Sequence, residues 1–369
     1  MSRWAKTLTT QVVAPKLDLL DYVGQRTATY RFDLVNIKTG YRRVVHPLRD
    51  SAPTLTHDTS RTIVRQLNNL VFTVPDSGFI DVITTRIEPF MVLEDVEYPL
   101  GRYIYNNETR AIFTAGEWSS GTLYDEGFIV DQKLTDSFSD RAVVSVGSGS
   151  ATSARIQLVI AKLLSGLPIV TEIAPTAFYS SAGWPAGTSR GFIVEQLALD
   201  GDYLSPWFAH DHRMKFIRSF DPSTAVVTFD LDAGNKVLRE RIYKTNDLID
   251  APNVFIVISN GIAAQQSEIT GRYDVPSSAP HSVENRGFES PYVENRQVET
   301  AEQAKAVATN IGQRQTIFER IELYTPPDPR HDGYDVLRWQ GENWLEIAWS
   351  LPLIEGAAMQ HIARKAYAT

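Results

Sequence analysis

Alternation of apolar and polar positions dominates the chain from Tyr30 to about Ser145. In YRFDLVNIKTGYRRVV, Tyr30, Phe32 and Leu34 share one face and Lys38-Thr39-Gly40 supplies turn residues, so a β-hairpin is predicted. RTIVRQLNNLVF can be drawn as a helix on Ile63, Leu67 and Leu70. Its ending in Val71, Phe72, Thr73 and Val74 ahead of Pro75 favours a strand. Further strands are predicted through FIDVITTRIEPFMVLED, EYPLGRYIYNNETRAIFTAG and EGFIVDQKL, each closed by Pro, Gly, Asn or Asp.

The pattern changes at SVGSGSATSA, where Gly147 and Gly149 mark a loop or domain boundary. Beyond it, Ile156, Val159, Ile160, Leu163 and Leu164 recur at helical spacing, and Gly166 with Pro168 ends the run. PTAFYSSAGWPAGTSRG reads as an irregular loop. A second helix is predicted from the Ser205-Pro206 cap through WFAHDHRMKFIRSF to Asp221-Pro222. TAVVTFDLDAGNKVLRERI then reads as a hairpin turning on Ala233-Gly234-Asn235. In the last third, NVFIVISNG and ITGRYDV read as strands, followed by a polar loop. Thr300 and Gln303 form a capping-box signature for a helix burying Ala301, Ala304, Val307, Ala308 and Ile311. Strands resume in IFERIELY, YDVLRWQ and NWLEIAWSLPL. In the last of these, Leu345, Ile347, Trp349 and Leu351 share the buried face and Glu346 points away.

A chain of 369 residues exceeds one ordinary domain at roughly 100–200 residues each. The patterns divide it into an N-terminal β domain (1–145), a small α/β domain (146–240) and a C-terminal β domain (241–369). The last carries a loop and helix at about 275–316. The fold class is α+β, mainly β. Hydrophobic content of 43% with 22% charged residues belongs to a folded protein rather than a disordered one. The net charge of −8 argues against a chain that coats nucleic-acid phosphates. The absence of cysteine removes disulfides, thiolate metal sites and cysteine nucleophiles. The sequence contains no apolar run of signal-peptide length near its start and none near the roughly 18 residues of a membrane span.

No GxxxxGK[ST], HExxH or full GxGxxG occurs, and GSGSAT near Gly147 reads as linker. His210-Asp211-His212 offers two imidazoles around a carboxylate. On the predicted helix, however, residues two apart diverge, which makes one histidine solvated and the other a packing contact. Asp200-Gly201-Asp202 and Asp230-x-Asp232 lack the rest of a calcium loop and read as turn carboxylates. Arg330-His331-Asp332 reads as a β-turn feeding a strand. Trp339, Trp344 and Trp349 are spaced by five, which alternates faces on strands, so at least one belongs to a core rather than to a sugar-stacking platform. The 44 acidic residues single out no glycosidase pair. No catalytic, cofactor-binding or metal-binding residue is therefore assigned, and no enzyme activity or cofactor is expected.

Several stretches carry a resemblance: VGQRTATYRFDL, YPLGRYIY, SSGTLYDEGFIVDQ, the SAPHSVENRGF loop before AEQAKAVA, ERIEL, and PPDPRHDGYDVLRW with WLEIAWSLPL. From about Val23 onwards, their order and texture resemble minor tail proteins of tailed bacteriophages infecting Actinobacteria, and more broadly the tail hub (baseplate hub) proteins. That resemblance implies two tube-like β-barrel or sandwich domains flanking or interleaved with the α/β unit. It also implies a homotrimeric ring joining the tail tube to the tip or baseplate and letting double-stranded DNA pass without specific binding. The partners it implies are the tail tube or distal tail protein, the tape measure protein and other tail-tip proteins. The location is the virion tail, assembled in the host cytoplasm. A host-receptor or cell-wall glycan binding tail-tip protein, or a tail-associated peptidoglycan hydrolase, is the alternative.

Overall fold

The computed structural model describes residues 28–48, 51–60, 65–73, 81, 83–113, 116–139, 153–167, 170–172, 178–180, 183–200, 203–233, 237–238, 242–246, 251–259, 268–296, 300–315 and 319–365. The boundary expected at Gly147 and Gly149 and the turn expected at Gly234-Asn235 lie outside them.

The first hairpin forms as its alternation predicts. Thr29–Asn36 pairs antiparallel with Arg42–Val45, and Phe32 and Leu34 are buried. The turn closes because Gly40, at φ +73, donates its N–H to the Asn36 carbonyl at 2.8 Å, a conformation in which a Cβ is strained. RTIVRQLNNLVF contributes the strand Arg65–Thr73. Its alternating burial places Leu67, Leu70 and Phe72 in one core with Leu34, Ile87, Met91, Tyr103 and Leu123.

Among the described residues, these strands belong to a single fifteen-stranded sheet. Its main path runs from Tyr243–Asn246 through Glu319–Thr325, Met359–Lys365, Glu342–Pro352, Thr54–Asp58, Arg65–Thr73, Gly116–Tyr124, Tyr103–Tyr105, Thr85–Leu93 and Thr29–Asn36 to Arg42–Val45. Pairing is antiparallel except where Phe229–Asp230 joins Val336–Trp339 in parallel. The junction between the two β-rich regions is a backbone ladder in which Leu55 faces Leu351 and His57 faces Trp349. Trp349, Leu351, Leu353 and Met359 consequently complete the N-terminal core. The architecture is α+β and mainly β; among the described residues the sheet is open and forms no closed barrel.

In the middle third, helices and short strands alternate among the described residues. Helix Ile156–Leu163 buries Ile156, Val159, Ile160 and Leu163, as its spacing predicts. A second helix, Arg190–Asp200, lies where a loop and its aftermath were expected. Ser189 caps it by accepting the Phe192 N–H at 3.1 Å, and Ile193, Val194, Leu197 and Ala198 form its buried stripe. The helix expected from Ser205 to Asp221 is absent. Trp207–Phe208 and Arg213–Lys215 form antiparallel strands there, the latter also pairing in parallel with Val170–Glu172. Ser205 donates its hydroxyl to Glu195 instead of capping, and His212 at φ +66 makes the turn that lets Phe208 and Met214 enter one core.

Two smaller expectations are also corrected. EGFIVDQKL opens as a short helix, Gly127–Val130, because Asp125 accepts the Gly127 N–H and starts a turn. Phe229–Asp230 pairs in parallel with Val336–Trp339, and most of the second arm expected of its hairpin lies outside the described residues. Ala301 is exposed on its helix, whereas Ala304 and Ala308 are buried. That helix, Ala301–Gln315, is capped by Thr300, which accepts the Gln303 N–H at 3.2 Å. It packs on a separate three-stranded sheet of Ile269–Asp274, Val254–Ser259 and Pro291–Asn295.

Candidate functional site

Two of the polar residues that sequence reasoning weighed, His210 and Asp332, meet at the junction between the regions. Arg65 begins its strand, is 1% exposed, and points its guanidinium into the space between the N-terminal sheet, the α/β unit and the 326–335 loop. Its Nε donates to His57 Nδ1 at 3.1 Å and its Nη1 to His210 Nδ1 at 3.1 Å, while Nη2 pairs with Asp332. Asp332 also accepts from Trp207 Nε1 at 2.8 Å and lies 3.5 Å from Lys215 Nζ. The Trp349 indole donates to the Asp332 carbonyl at 2.9 Å and stacks on His57, with centroids 5.3 Å apart. A single arginine thus ties residues 145 and 267 positions away in sequence.

Electrostatics follow from this packing. Burial, and then the Arg65 charge, push His57 down to about 3 and His210 down to about 4, so both imidazoles stay neutral and accept from the guanidinium. Burial would raise Asp332, but the Arg65 and Lys215 charges and the Trp207 hydrogen bond outweigh it and hold the carboxylate ionised. Burial pushes Asp125 up to about 7, with Arg65 opposing; its oxygens accept the backbone N–H groups of Arg65 and Gly127.

A second cluster lies across the C-terminal strands. Glu346 is 1% exposed, in contrast to the solvent-facing position expected for it. A register shift between Glu346 and Ala348 changes the alternation of its strand and turns the carboxylate inward. One carboxylate oxygen accepts from His361 Nδ1 at 2.5 Å and the other from His331 Nδ1 at 2.9 Å. His361 Nε2 meets Thr325 Oγ1 at 2.7 Å, Phe229 stacks on His331 at 3.8 Å, and Asp335 lies 3.7 Å from His331 Nδ1. Burial lowers His331, yet Glu346 prevails and raises it to about 9; His361 is lowered by burial.

Arg330-His331-Asp332 does occupy a turn feeding Val336–Trp339, and His331 is buried there. Nor is His210-Asp211-His212 a paired ligand set: His210 serves Arg65, and Asp211 caps the turn by accepting the Arg213 N–H at 3.2 Å. Asp230 accepts the Asp232 and Ala233 N–H groups, and Asp232 those of Gln340 and Gly341, so both are turn carboxylates. Gly201 and Asp202 lie outside the described residues. Trp339 and Trp344 fill the C-terminal core and Trp349 the N-terminal one. Sequence reasoning missed Arg65, His57, Glu346 and His361, which stand alone in their strands with no local motif.

Chemically, the Arg65 cluster is a fastening. The crevice beside it, lined by Arg65, Gly101, Arg102, Tyr103 and Asp125 among others, has a volume of about 10 Å³, room for no more than a water. A groove of about 510 Å³ separates helices Arg190–Asp200 and Ala301–Gln315. Its carboxylates are engaged, Glu195 by Ser205 and Glu294 by Arg296.

By sequence, the chain matches no protein-family model and no curated protein at a significant level. By structure, it is similar to the tail protein from Neisseria meningitidis MC58, with a TM-score of 0.60 at 10% identity over 91% of this chain and 97% of that one. It is also similar to the 43 kDa tail protein of prophage MuSo2 from Shewanella oneidensis, with a TM-score of 0.57 at 10% identity over 91% and 98%. A third similarity is to prophage tail protein gp18 from Listeria monocytogenes EGD-e, with a TM-score of 0.53 at 8% identity over 92% and 95%. Across nine-tenths of its length, the chain has the fold of these tail proteins.

Proposed function

We propose that the chain is a structural protein of a bacteriophage tail, and within the tail the hub: a homotrimeric ring that joins the tail tube to the tip or baseplate. The observation that carries this reading is the fold shared with three tail proteins over nearly their whole lengths. Its buried ionic centre supports the reading, because Arg65 and Asp332 lock the regions together instead of presenting chemistry to a substrate. So do apolar side chains exposed on the outer strands and turns, among them Tyr41 and Val44 on one sheet edge and Ile112 beside Trp118. In this role the divisions 1–145, 146–240 and 241–369 act as two tube-facing β regions around the α/β unit. The neighbours are the tail tube or distal tail protein, the tape measure protein and other tip proteins. The chain resides in the virion tail, is assembled in the host cytoplasm and has no enzymatic turnover.

Negative-stain imaging of the purified chain at assembly concentration tests this reading. A threefold ring with a central hole is expected. Monomeric particles that clear peptidoglycan would point to a tail-associated hydrolase, and saturable binding to host glycan without rings would point to a receptor-binding tip protein.

A further inference from the structure

The His331–Glu346–His361 cluster has the composition and enclosure of a metal centre, although its residues lie 15 positions apart and form no motif. All three are buried, at 2%, 1% and 0% exposure, and their ligand atoms lie within 4.8 Å of one another. We propose that these residues bind one structural zinc ion through His331 Nδ1, His361 Nδ1 and a Glu346 oxygen, with Asp335 as fourth ligand.

Three features of geometry support zinc over a simple hydrogen-bond chain. His331 Nδ1 faces two carboxylates, Glu346 at 2.9 Å and Asp335 at 3.7 Å, and one N–H points in one direction only. A cation at that position reaches both. Glu346 and Asp335 place carboxylate oxygens beside the two imidazoles in one buried cluster, the mixed nitrogen and oxygen donor set that zinc takes. The outer positions are already supported: Thr325 Oγ1 holds His361 Nε2 at 2.7 Å, and the Phe229 ring lies 3.8 Å from that of His331.

Two neutral imidazoles with carboxylates form a borderline-soft, tetrahedral donor set suited to zinc rather than to calcium or magnesium. Bonds of about 2.0–2.1 Å in a tetrahedron separate ligand atoms by about 3.3 Å. The 2.9 and 2.5 Å contacts, which run to different Glu346 oxygens, open by less than about 1 Å, and ligand atoms up to 4.8 Å apart close by up to about 1.5 Å, within reach of side-chain rotations. Enclosure on every side implies that the ion is taken up as the C-terminal strands fold.

The test uses the full, tag-free chain, refolded from guanidinium with zinc or with a chelator and then desalted. Elemental analysis is expected to find about one zinc per chain, and the zinc-loaded protein to melt at least about 5 °C above the chelated one. Glu346→Gln and His361→Ala are expected to lower the zinc content at least tenfold. Should either variant fail to fold, X-ray absorption of the zinc-loaded wild-type chain decides. Two imidazole nitrogens and carboxylate oxygen at about 2.0 Å support the site. A folded wild-type chain with less than about 0.1 zinc, the same melting temperature with and without zinc, or an absorption spectrum lacking imidazole overturns it and leaves a cluster held by protons alone.

Discussion

Arg65 is the side chain on which most of the junction depends, because its five N–H donors meet two neutral histidines and one carboxylate in a space that excludes water. Truncating it leaves Asp332 buried without its main cation. Arg65→Ala is therefore expected to lower the unfolding free energy by about 3–5 kcal/mol, read by guanidinium denaturation, with Asp332→Asn losing less because Trp207 still donates to it. His57 gives a pH signature. Its folded pKa is about 3, below the ordinary 6.5, so its contribution is present above pH 6.5 and is lost as pH falls towards 3. His57→Gln, which keeps an acceptor for Arg65 but cannot bind the proton, should flatten the acid side of the stability profile by up to about 1.4 kcal/mol per pH unit. Parallel profiles for wild type and variant between pH 7 and 4.5 would contradict the assignment of a neutral His57.

At the scale of elements, two contacts set how helices sit. Gly271 lies against the backbone of helix Ala301–Gln315, where an added Cβ would stand 2.1 Å from the Ala304 carbonyl carbon. Gly271→Ala must push the helix off its sheet, with an expected cost of about 1–3 kcal/mol or more and faster hydrogen exchange confined to residues 301–315. Ser189→Ala removes the cap of helix Arg190–Asp200 at about 1–2 kcal/mol, measurable by thermal unfolding. Elements whose stability is written locally were legible: the turn at Gly40, the stripe Ile156, Val159, Ile160 and Leu163, and the Thr300 cap all needed neighbours within a few residues. Where partners come from afar, local signals misled. Ser205-Pro206 looked like a helix start, but Trp207 and Phe208 were claimed by strand pairing and by two cores. Glu346 looked solvent-facing until a register shift turned it towards His331 and His361. Neither polar cluster was legible for the same reason, since Arg65, Asp332, Glu346 and His361 meet only after the long-range ladders form.

At the scale of the molecule, the ladder between Thr54–Asp58 and Glu342–Pro352 makes the first and last thirds share a sheet and a core. The proposed ring then has a consequence in charge. Three chains at −8 each carry −24, and lysines or arginines lining a bore would hold DNA phosphates that must slide past. Lumen-facing positions are accordingly expected to be rich in Asp, Glu and small polar residues, and a continuous positive lining in an assembled particle would contradict this. The most direct measurement of the central claim is a reconstruction of the assembled tail at a resolution that traces this chain. The account predicts three copies in one closed ring between tube and tip, with interfaces well above roughly 1,000 Å². Six copies in a ring, one copy on the axis, or a position away from the tube would contradict it.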